Sequence, residues 1–188
     1  MADQGGSGVS TSKRRPRHIL SKFQEFVRTR RANAAVQFAL VAAPLAALLV
    51  AIVQTAVVLL AQEVLQTATE QSARLIMTGQ AQNDGMTAGQ FQQQICSRAT
   101  ALFNCLNMHV EVQTFASFSS VTLTNPIING ELSAASLPYN PGTDGDIVVV
   151  QTYYPWPVVL APLGFNLANM TGNKLLLVGT AAFRNEPF

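Results

Sequence analysis

The sequence predicts an α+β protein, in which a long N-terminal transmembrane and stalk helix precedes a short second helix and a small antiparallel β-sheet. Three observations predict this class. Residues 34–61 carry no charge, an apolar helical period continues to about residue 78, and beyond Cys105 the apolar residues alternate as in strands. We expect a partly disordered basic tail over residues 1–31, the membrane and stalk helix over 32–80, and an exported α+β domain over 81–188.

The uncharged stretch is long enough to cross a membrane. It falls between Arg31 and Glu63, and about 20 apolar helical residues cross a bilayer core of roughly 30 Å. A cleaved signal peptide has an apolar core of only about 7 to 15 residues. We therefore expect an uncleaved, single-pass membrane anchor.

Charge asymmetry gives the orientation of this anchor. Residues 1–31 hold eight basic and two acidic side chains, a net +6, whereas residues 62–188 hold four basic and eight acidic ones, a net −4. Basic flanks stay in the cytoplasm, so the C-terminal domain is predicted to be periplasmic or otherwise extracytoplasmic. A basic run beside a membrane indicates contact with anionic lipid rather than with nucleic acid.

The periodicities place the remaining elements. The first helix is expected to end before Gly79, and a second helix to begin at Thr87, where Gln90 completes a capping box. Strands are expected at residues 108–113, 147–150 and 175–183. The second of these is a continuous β-branched run, typical of a central strand. One short helix and three strands form only a small core, so the outer half of the stalk is expected to pack on the sheet.

An aromatic and proline-rich segment covers residues 153–163. Pro155 and Pro157 argue against a regular strand there. Tyr153, Tyr154 and Trp156 are candidates for contact with a partner or with the outer leaflet. A loop folded over the sheet remains the alternative.

No pattern of catalytic or ligand-binding residues stands out. His18 and His109 are predicted on opposite sides of the membrane, and hydrolase, phosphate-loop and zinc motifs are missing from the sequence. Asp144 and Asp146 lack the rest of a calcium loop and fit a turn. We expect no enzyme activity, no cofactor and no metal site.

The only two cysteines, Cys96 and Cys105, fall in the predicted exported part. An even pair in an oxidising compartment favours a disulfide, with two free thiols as the alternative. On one straight helix nine residues rise about 13.5 Å, whereas bridged Cα atoms lie about 4.4 to 6.8 Å apart. A bridge therefore requires the second helix to bend or end between the cysteines.

The sequence resembles the TadE-like proteins of the tight-adherence (Flp) pilus machinery. The resemblance begins at residues 30–41, RRANAAVQFALV, which are similar to a basic tail followed by the family pattern Gly-x-x-x-Val-Glu-Phe-Ala-Leu. It continues through residues 72–82, the cysteine pair, the segment YYPWP at 153–157 and the ending AFRNEPF. It implies a pilin-like fold in a pseudopilin or minor pilin, with pilus-assembly platform proteins and other pilins as partners.

The resemblance also implies a cleavage site for a prepilin peptidase at Ala32, Asn33, Gln37 and Phe38. Two of these positions depart from the family pattern. Ala32 stands where a prepilin has Gly, and Gln37 stands where the mature pilin has Glu. We therefore expect slow or absent cleavage between Ala32 and Asn33. The alternative function is an anchored extracytoplasmic module that binds a ligand through residues 116–145.

The predicted orientation is tested with enzyme fusions. Alkaline phosphatase fused after Phe188 is expected to be active, and fused before Ala34 inactive, because the +6 tail stays in the cytoplasm. The reverse pattern of activity would overturn both the orientation and the argument for a disulfide.

Overall fold

The computed structural model describes residues 30–123, 125–134, 137–158 and 166–188, with only the backbone at residues 30–33. Apart from the backbone of Arg30 and Arg31, the predicted basic tail lies outside these residues. The chain divides into two compact units, Met1–Ala46 and Ala47–Phe188. The packing described below belongs to the second unit.

The first element, α1, is an α-helix over Arg30–Met77. The helix ends where the sequence predicts, because Gly79 adopts a left-handed conformation with φ 76°. The ring of Phe188 occupies the space that a side chain at Gly79 would need. The chain's C-terminus therefore closes over the end of α1, and a single turn, α2, follows at Gln80–Asn83.

The second predicted helix is α3, over Ala88–Ala99. The Thr87 hydroxyl accepts from the Gln90 backbone N–H at 3.4 Å, and the Gln90 side chain accepts from the Thr87 N–H at 2.8 Å. The predicted capping box is thus confirmed. Phe91 and Ile95 face the core and are fully buried.

The sheet consists of β1 (His109–Phe115), β4 (Ile147–Pro157) and β5 (Lys174–Arg184). All pairs are antiparallel in the order β1-β4-β5, so β4 is the central strand, as its sequence predicts. A separate hairpin joins β2 (Ile127–Ile128) to β3 (Glu131–Leu132). The α+β architecture predicted from the sequence is confirmed.

The expectation that Pro155 and Pro157 prevent a regular strand was wrong, since both lie within β4. The register gives the reason. β1 begins at His109, opposite Tyr153, so beyond that point β4 has only β5 as a neighbour. The two proline nitrogens lie on the side of β4 away from β5, where a hydrogen-bond donor is not needed.

One face of the sheet packs on the outer part of α1. Buried residues recur along the helix at intervals of three or four, which is the period of a single helical face. They are Val58, Ala61, Leu65, Ala68, Thr69, Ser72, Ala73 and Ile76. The apolar ones share a core cluster with Val148, Val150 and Leu177 of the sheet and with Phe91 and Ile95 of α3. The outer part of α1 therefore supplies one side of the core of the C-terminal domain.

The closest approach between α1 and the sheet is at Gly179 of β5. A Cβ atom there would lie 3.0 Å from the carbonyl oxygen of Leu65 and would clash with the Thr69 hydroxyl. Beside this point, the Gln66 amide accepts from the Thr180 N–H at 2.9 Å and donates to the Thr180 carbonyl at 2.8 Å. Gln62 donates to the Val178 carbonyl at 2.7 Å. The helix thus satisfies backbone groups along the outer edge of β5.

A disulfide joins Cys96 and Cys105, whose Cα atoms lie 5.6 Å apart. Helix α3 ends at Ala99, between the two cysteines, and a short 3-10 turn over Cys105–Asn107 follows. The second helix therefore ends between the two cysteines, as the sequence analysis requires for a bridge. The disulfide holds the end of α3 against the start of the sheet.

Substituting Gly179 tests the contact between α1 and β5. We expect Gly179→Ala to destabilise the folded domain by about 1 to 3 kcal/mol, because the added methyl meets helix backbone that cannot move aside. The matched control is Gly89→Ala in α3, where a Cβ meets no atom of the described residues within 4 Å. That control should leave stability unchanged or raise it by up to about 1 kcal/mol. Equal denaturant midpoints for the two variants of the solubilised full chain would contradict the packing.

Removing the disulfide should lower stability. Closing the short loop between Cys96 and Cys105 contributes about 2.5 to 3 kcal/mol in the loop-entropy model. The double variant Cys96→Ser/Cys105→Ser is expected to unfold at correspondingly lower denaturant than the oxidised protein. Non-reducing mass spectrometry should link the two peptides, whereas two alkylatable thiols in freshly isolated membranes would contradict the bridge.

Candidate functional site

Helix α1 presents apolar side chains that the rest of the described residues do not cover. Phe38 is 75% exposed and Leu40 71% exposed in the first unit, and Ile52, Leu59 and Leu60 are similarly exposed in the second. Within the described residues, this is the one helix long and apolar enough to cross a membrane. An exposed apolar helix of this length is stable in lipid, so the structure supports a single-pass membrane anchor.

The predicted processing site lies near the start of this helix. Ala32 and Asn33 are within the helical backbone of α1, which begins at Arg30, and their side chains are outside the described set. Gln37 and Phe38 are exposed on the helix. Cleavage between Ala32 and Asn33 stays a prediction.

Tyr153 was a predicted contact residue, but its side chain is only 1% exposed. Its hydroxyl donates to Glu111 Oε2 at 2.7 Å and lies 3.0 Å from Gln151 Oε1. Burial, and then the hydrogen bond to Glu111, raise the pKa of the Tyr153 phenol. Glu111, 5% exposed, also accepts from the Gln113 amide. The Tyr153 side chain therefore belongs to a buried polar network on the sheet face opposite α1, and it is not accessible for an external contact.

Tyr154 and Trp156 point to the other face and stack with Phe103. The Phe103 ring lies 4.7 Å from the ring of Tyr154 and 5.7 Å from that of Trp156, both edge to face. Tyr154 is buried, and its hydroxyl accepts from the Asn104 N–H at 3.3 Å. Of the three predicted contact aromatics, only Trp156 reaches an accessible surface.

Trp156 and Pro157 form one wall of an apolar groove of about 490 Å³. The opposite wall is the side of α1 that carries Leu49, Val50, Val53 and Val57, with Gln54 among them. The groove lies within the second unit. It is open and lined almost entirely by carbon, so it suits an apolar chain rather than a polar substrate.

A polar cavity of similar volume lies on the other side of Pro157. Its lining includes Asn107, His109, Glu131, Tyr154, Thr171 and Lys174. Burial lowers the pKa of His109, so its imidazole is neutral at physiological pH. The sequence placed His109 on a strand but did not predict this cavity, because Glu131 and Lys174 reach it from distant parts of the chain.

The described residues contain no group of three or more His, Cys, Asp or Glu side chains placed to hold a metal ion. Asp146 accepts from the Thr143 N–H at 2.8 Å and from its hydroxyl at 3.0 Å. These bonds, the backbone one first, hold the pKa of Asp146 below its usual value. Asp146 closes a turn, as the sequence indicated.

Comparison with known proteins adds one finding. A family model described as TadE-like protein matches residues 33–74. Comparisons with the curated proteins and with the solved structures gave no match. The match covers the apolar part of α1 and the stalk as far as Arg74, and the TadE-like family is not a known enzyme family. The resemblance predicted from the sequence is therefore confirmed: through residues 33–74, this chain is similar to TadE-like proteins.

Proposed function

We propose that this chain is a membrane-anchored pseudopilin or minor pilin that helps to assemble a tight-adherence pilus through protein contacts, without catalysis. The observation that carries the proposal is α1 itself. The segment that matches the TadE-like family is also the segment whose apolar side chains the rest of the chain leaves exposed. An apolar anchor and this family match fit a membrane-anchored, pilus-associated protein.

In this proposal α1 crosses the inner membrane with its N-terminus in the cytoplasm. The net +6 of residues 1–31 supports that orientation. The disulfide between Cys96 and Cys105 supports an exported domain as well, since structural disulfides persist in oxidising compartments.

Two surfaces of α1 are suited to other subunits. In the membrane segment, Ala43 and Ala46 are exposed, and small residues let a second helix approach closely. In the stalk, the side turned away from the sheet is polar and carries Glu63, Glu70 and Arg74. These charges give a neighbouring stalk or a platform protein a specific orientation rather than a large apolar contact.

Gln37 supports a role in low copy number. In the family pattern, a buried Glu at this position pairs with the freed N-terminal amine of a subunit. Gln37 has no charge, so it avoids the cost of a buried carboxylate and accepts only a weaker, neutral hydrogen bond from an amine. A subunit of this kind suits the start or the base of a fibre better than its bulk.

The polar cavity beside Pro157 favours a second candidate function. Part of its wall, Glu131 and Leu132, comes from the 116–145 segment that the sequence offered as a ligand-binding loop. An anchored ligand-binding module would use this cavity. Affinity purification separates the two candidates: co-purified platform proteins and pilins support the first, and a small solute retained without them supports the second.

Substituting Gln37 tests the proposed role directly. Gln37→Glu is expected to raise the amount of this chain in sheared pili about five-fold or more, because a hydrogen bond to a charged group is stronger by roughly 1 kcal/mol than a neutral one. Ala56→Glu is the matched control, since it adds a carboxylate at an exposed position of the same uncharged stretch, far from its N-terminal end.

The readout is quantitative mass spectrometry of the pilus fraction, together with the N-terminus of the mature chain. An equal rise for both variants would show a general effect of charge. Stoichiometric wild-type chains that begin at Asn33 in the pili would refute the low-copy role.

A further inference from the structure

We propose that the end of the sheet formed by Trp156, Pro157 and Lys174 docks on the outer leaflet of the bilayer, with phospholipid acyl chains filling the apolar groove. The inference rests on the proposed single-pass topology of α1. It does not depend on the role in pilus assembly.

The first step is the direction of the sheet relative to the outer part of α1. Gln62 donates to the Val178 carbonyl, and Gln66 exchanges two hydrogen bonds with Thr180. Farther along, the Met77 carbonyl accepts from the N–H of Glu186 at 2.8 Å. Residue numbers therefore increase together along α1 and β5, and the start of β5 points back toward the uncharged stretch.

The second step is the level that the sheet reaches. Lys174 precedes Val178 by four residues, which is about 13 Å of strand and equals about nine residues of helix. Counted back from Gln62, this is the level of Val53. Lys174 pairs with Pro157, and Leu175 pairs with Trp156. Trp156 and Val53 line the same apolar groove, which independently places Trp156 at the level of Val53.

The third step is depth in the membrane. Val53 lies ten residues before Glu63, the first charge beyond the span, which corresponds to about 15 Å of helix. The uncharged stretch over residues 34–61 exceeds the roughly 20 residues of a bilayer core by about eight. With the surplus on the outer side of the span, the outer boundary falls near Val53, at the level of Trp156, whereas a boundary at residue 61 would place Trp156 about 12 Å beneath it.

The chemistry of this end suits a phospholipid surface. Tryptophan is enriched at membrane interfaces, where its ring is apolar and its N–H is hydrated. Lys174 is exposed and is the one lysine after residue 22. An ammonium at this level is attracted to anionic headgroups by about 1 kcal/mol. The polar cavity, with His109 and Lys174, lies beside Pro157 and away from the groove, at the level of those headgroups.

The lining of the groove favours lipid over the helix of another subunit. Membrane helices approach one another through Gly, Ala and Ser. The helical wall of the groove instead presents the branched side chains of Leu49, Val50, Val53 and Val57, with Gln54 as its one polar member. Such side chains leave an uneven cleft that a flexible acyl chain fills more readily than a rigid helix.

The chain contains a single tryptophan, so its fluorescence reports Trp156 alone. The full-length protein is reconstituted in phosphatidylcholine and phosphatidylglycerol vesicles that carry acyl chains brominated at shallow or deep positions. Because contact with Phe103 and Tyr154 shifts the emission wavelength even without lipid, quenching by bromine is the readout. We expect a clear loss of emission that is greater with the shallow bromines, together with protection from aqueous acrylamide.

Two reporters in a Trp156→Phe background calibrate the result. Leu45→Trp lies in the middle of the uncharged stretch and should be quenched most by the deep bromines. Phe118→Trp follows β1 at the end of the sheet farther from Trp156 and should respond to acrylamide only.

Quenching of the Leu45 reporter without quenching of Trp156 would overturn the docking while leaving the anchor in place. Absence of bromine quenching at both Trp156 and the Leu45 reporter would also contradict the single-pass topology. Trp156 quenching that disappears as the protein-to-lipid ratio rises would show that a second copy fills the groove, and would also overturn the proposal.

A pair of charge variants tests the headgroup contact. Lys174→Gln is expected to reduce the quenching of Trp156 in vesicles that contain phosphatidylglycerol, and to have less effect in phosphatidylcholine alone. Arg184→Gln removes the same charge at the opposite end of β5 and should change neither value. Identical behaviour of the two variants would refute the contact between Lys174 and anionic lipid.

Discussion

The C-terminal domain depends on the close contact between α1 and β5. A three-stranded sheet with one short helix buries too little apolar surface to be stable by itself, and the stalk residues from Val58 to Ile76 supply the missing half of the core. Gly179 lets the helix backbone approach the strand, and Gln66 satisfies both backbone groups of Thr180 at that point. The outer part of the membrane helix is thus also a core element of the folded domain.

In the proposed topology, this arrangement determines which end of the sheet faces the membrane. Because β5 follows α1 in the same direction, the strand end at Lys174 and Pro157 faces the uncharged stretch, and the Phe188 ring closes on Gly79 at the other end. The stalk can then offer only its remaining polar side to partners. The packing of α1 on β5 therefore determines which side of the stalk is accessible. It also places Trp156 and the C-terminal residues at opposite ends of the sheet.

Local signals predicted most of the fold. The uncharged stretch, Gly79, the Thr87 capping box and the β-branched run at residues 147–150 each depend on nearby residues, and each is confirmed. The features that the sequence did not reveal depend on distant pairing. Pro155 is tolerated because β1 starts opposite Tyr153. Glu111 occupies a polar position in the alternating pattern of β1, which predicts a solvent-facing side chain, yet it is buried against the Tyr153 hydroxyl. The Asn129-Gly130 pair was a usable hairpin signal, since both residues have positive φ.

The two faces of the sheet show why the C-terminal domain and the helix that anchors it are not structurally independent. The face toward α1 is apolar, whereas the opposite face holds Tyr153, Gln151 and Glu111 in a hydrogen-bonded network that contributes specificity more than apolar burial. The cluster of core residues that includes the stalk lies on the face toward α1. A boundary near residue 80, where the sequence composition changes, divides the chain in sequence only. In the folded protein the stalk from Val58 onward is part of the core of the C-terminal domain, and it packs against β5.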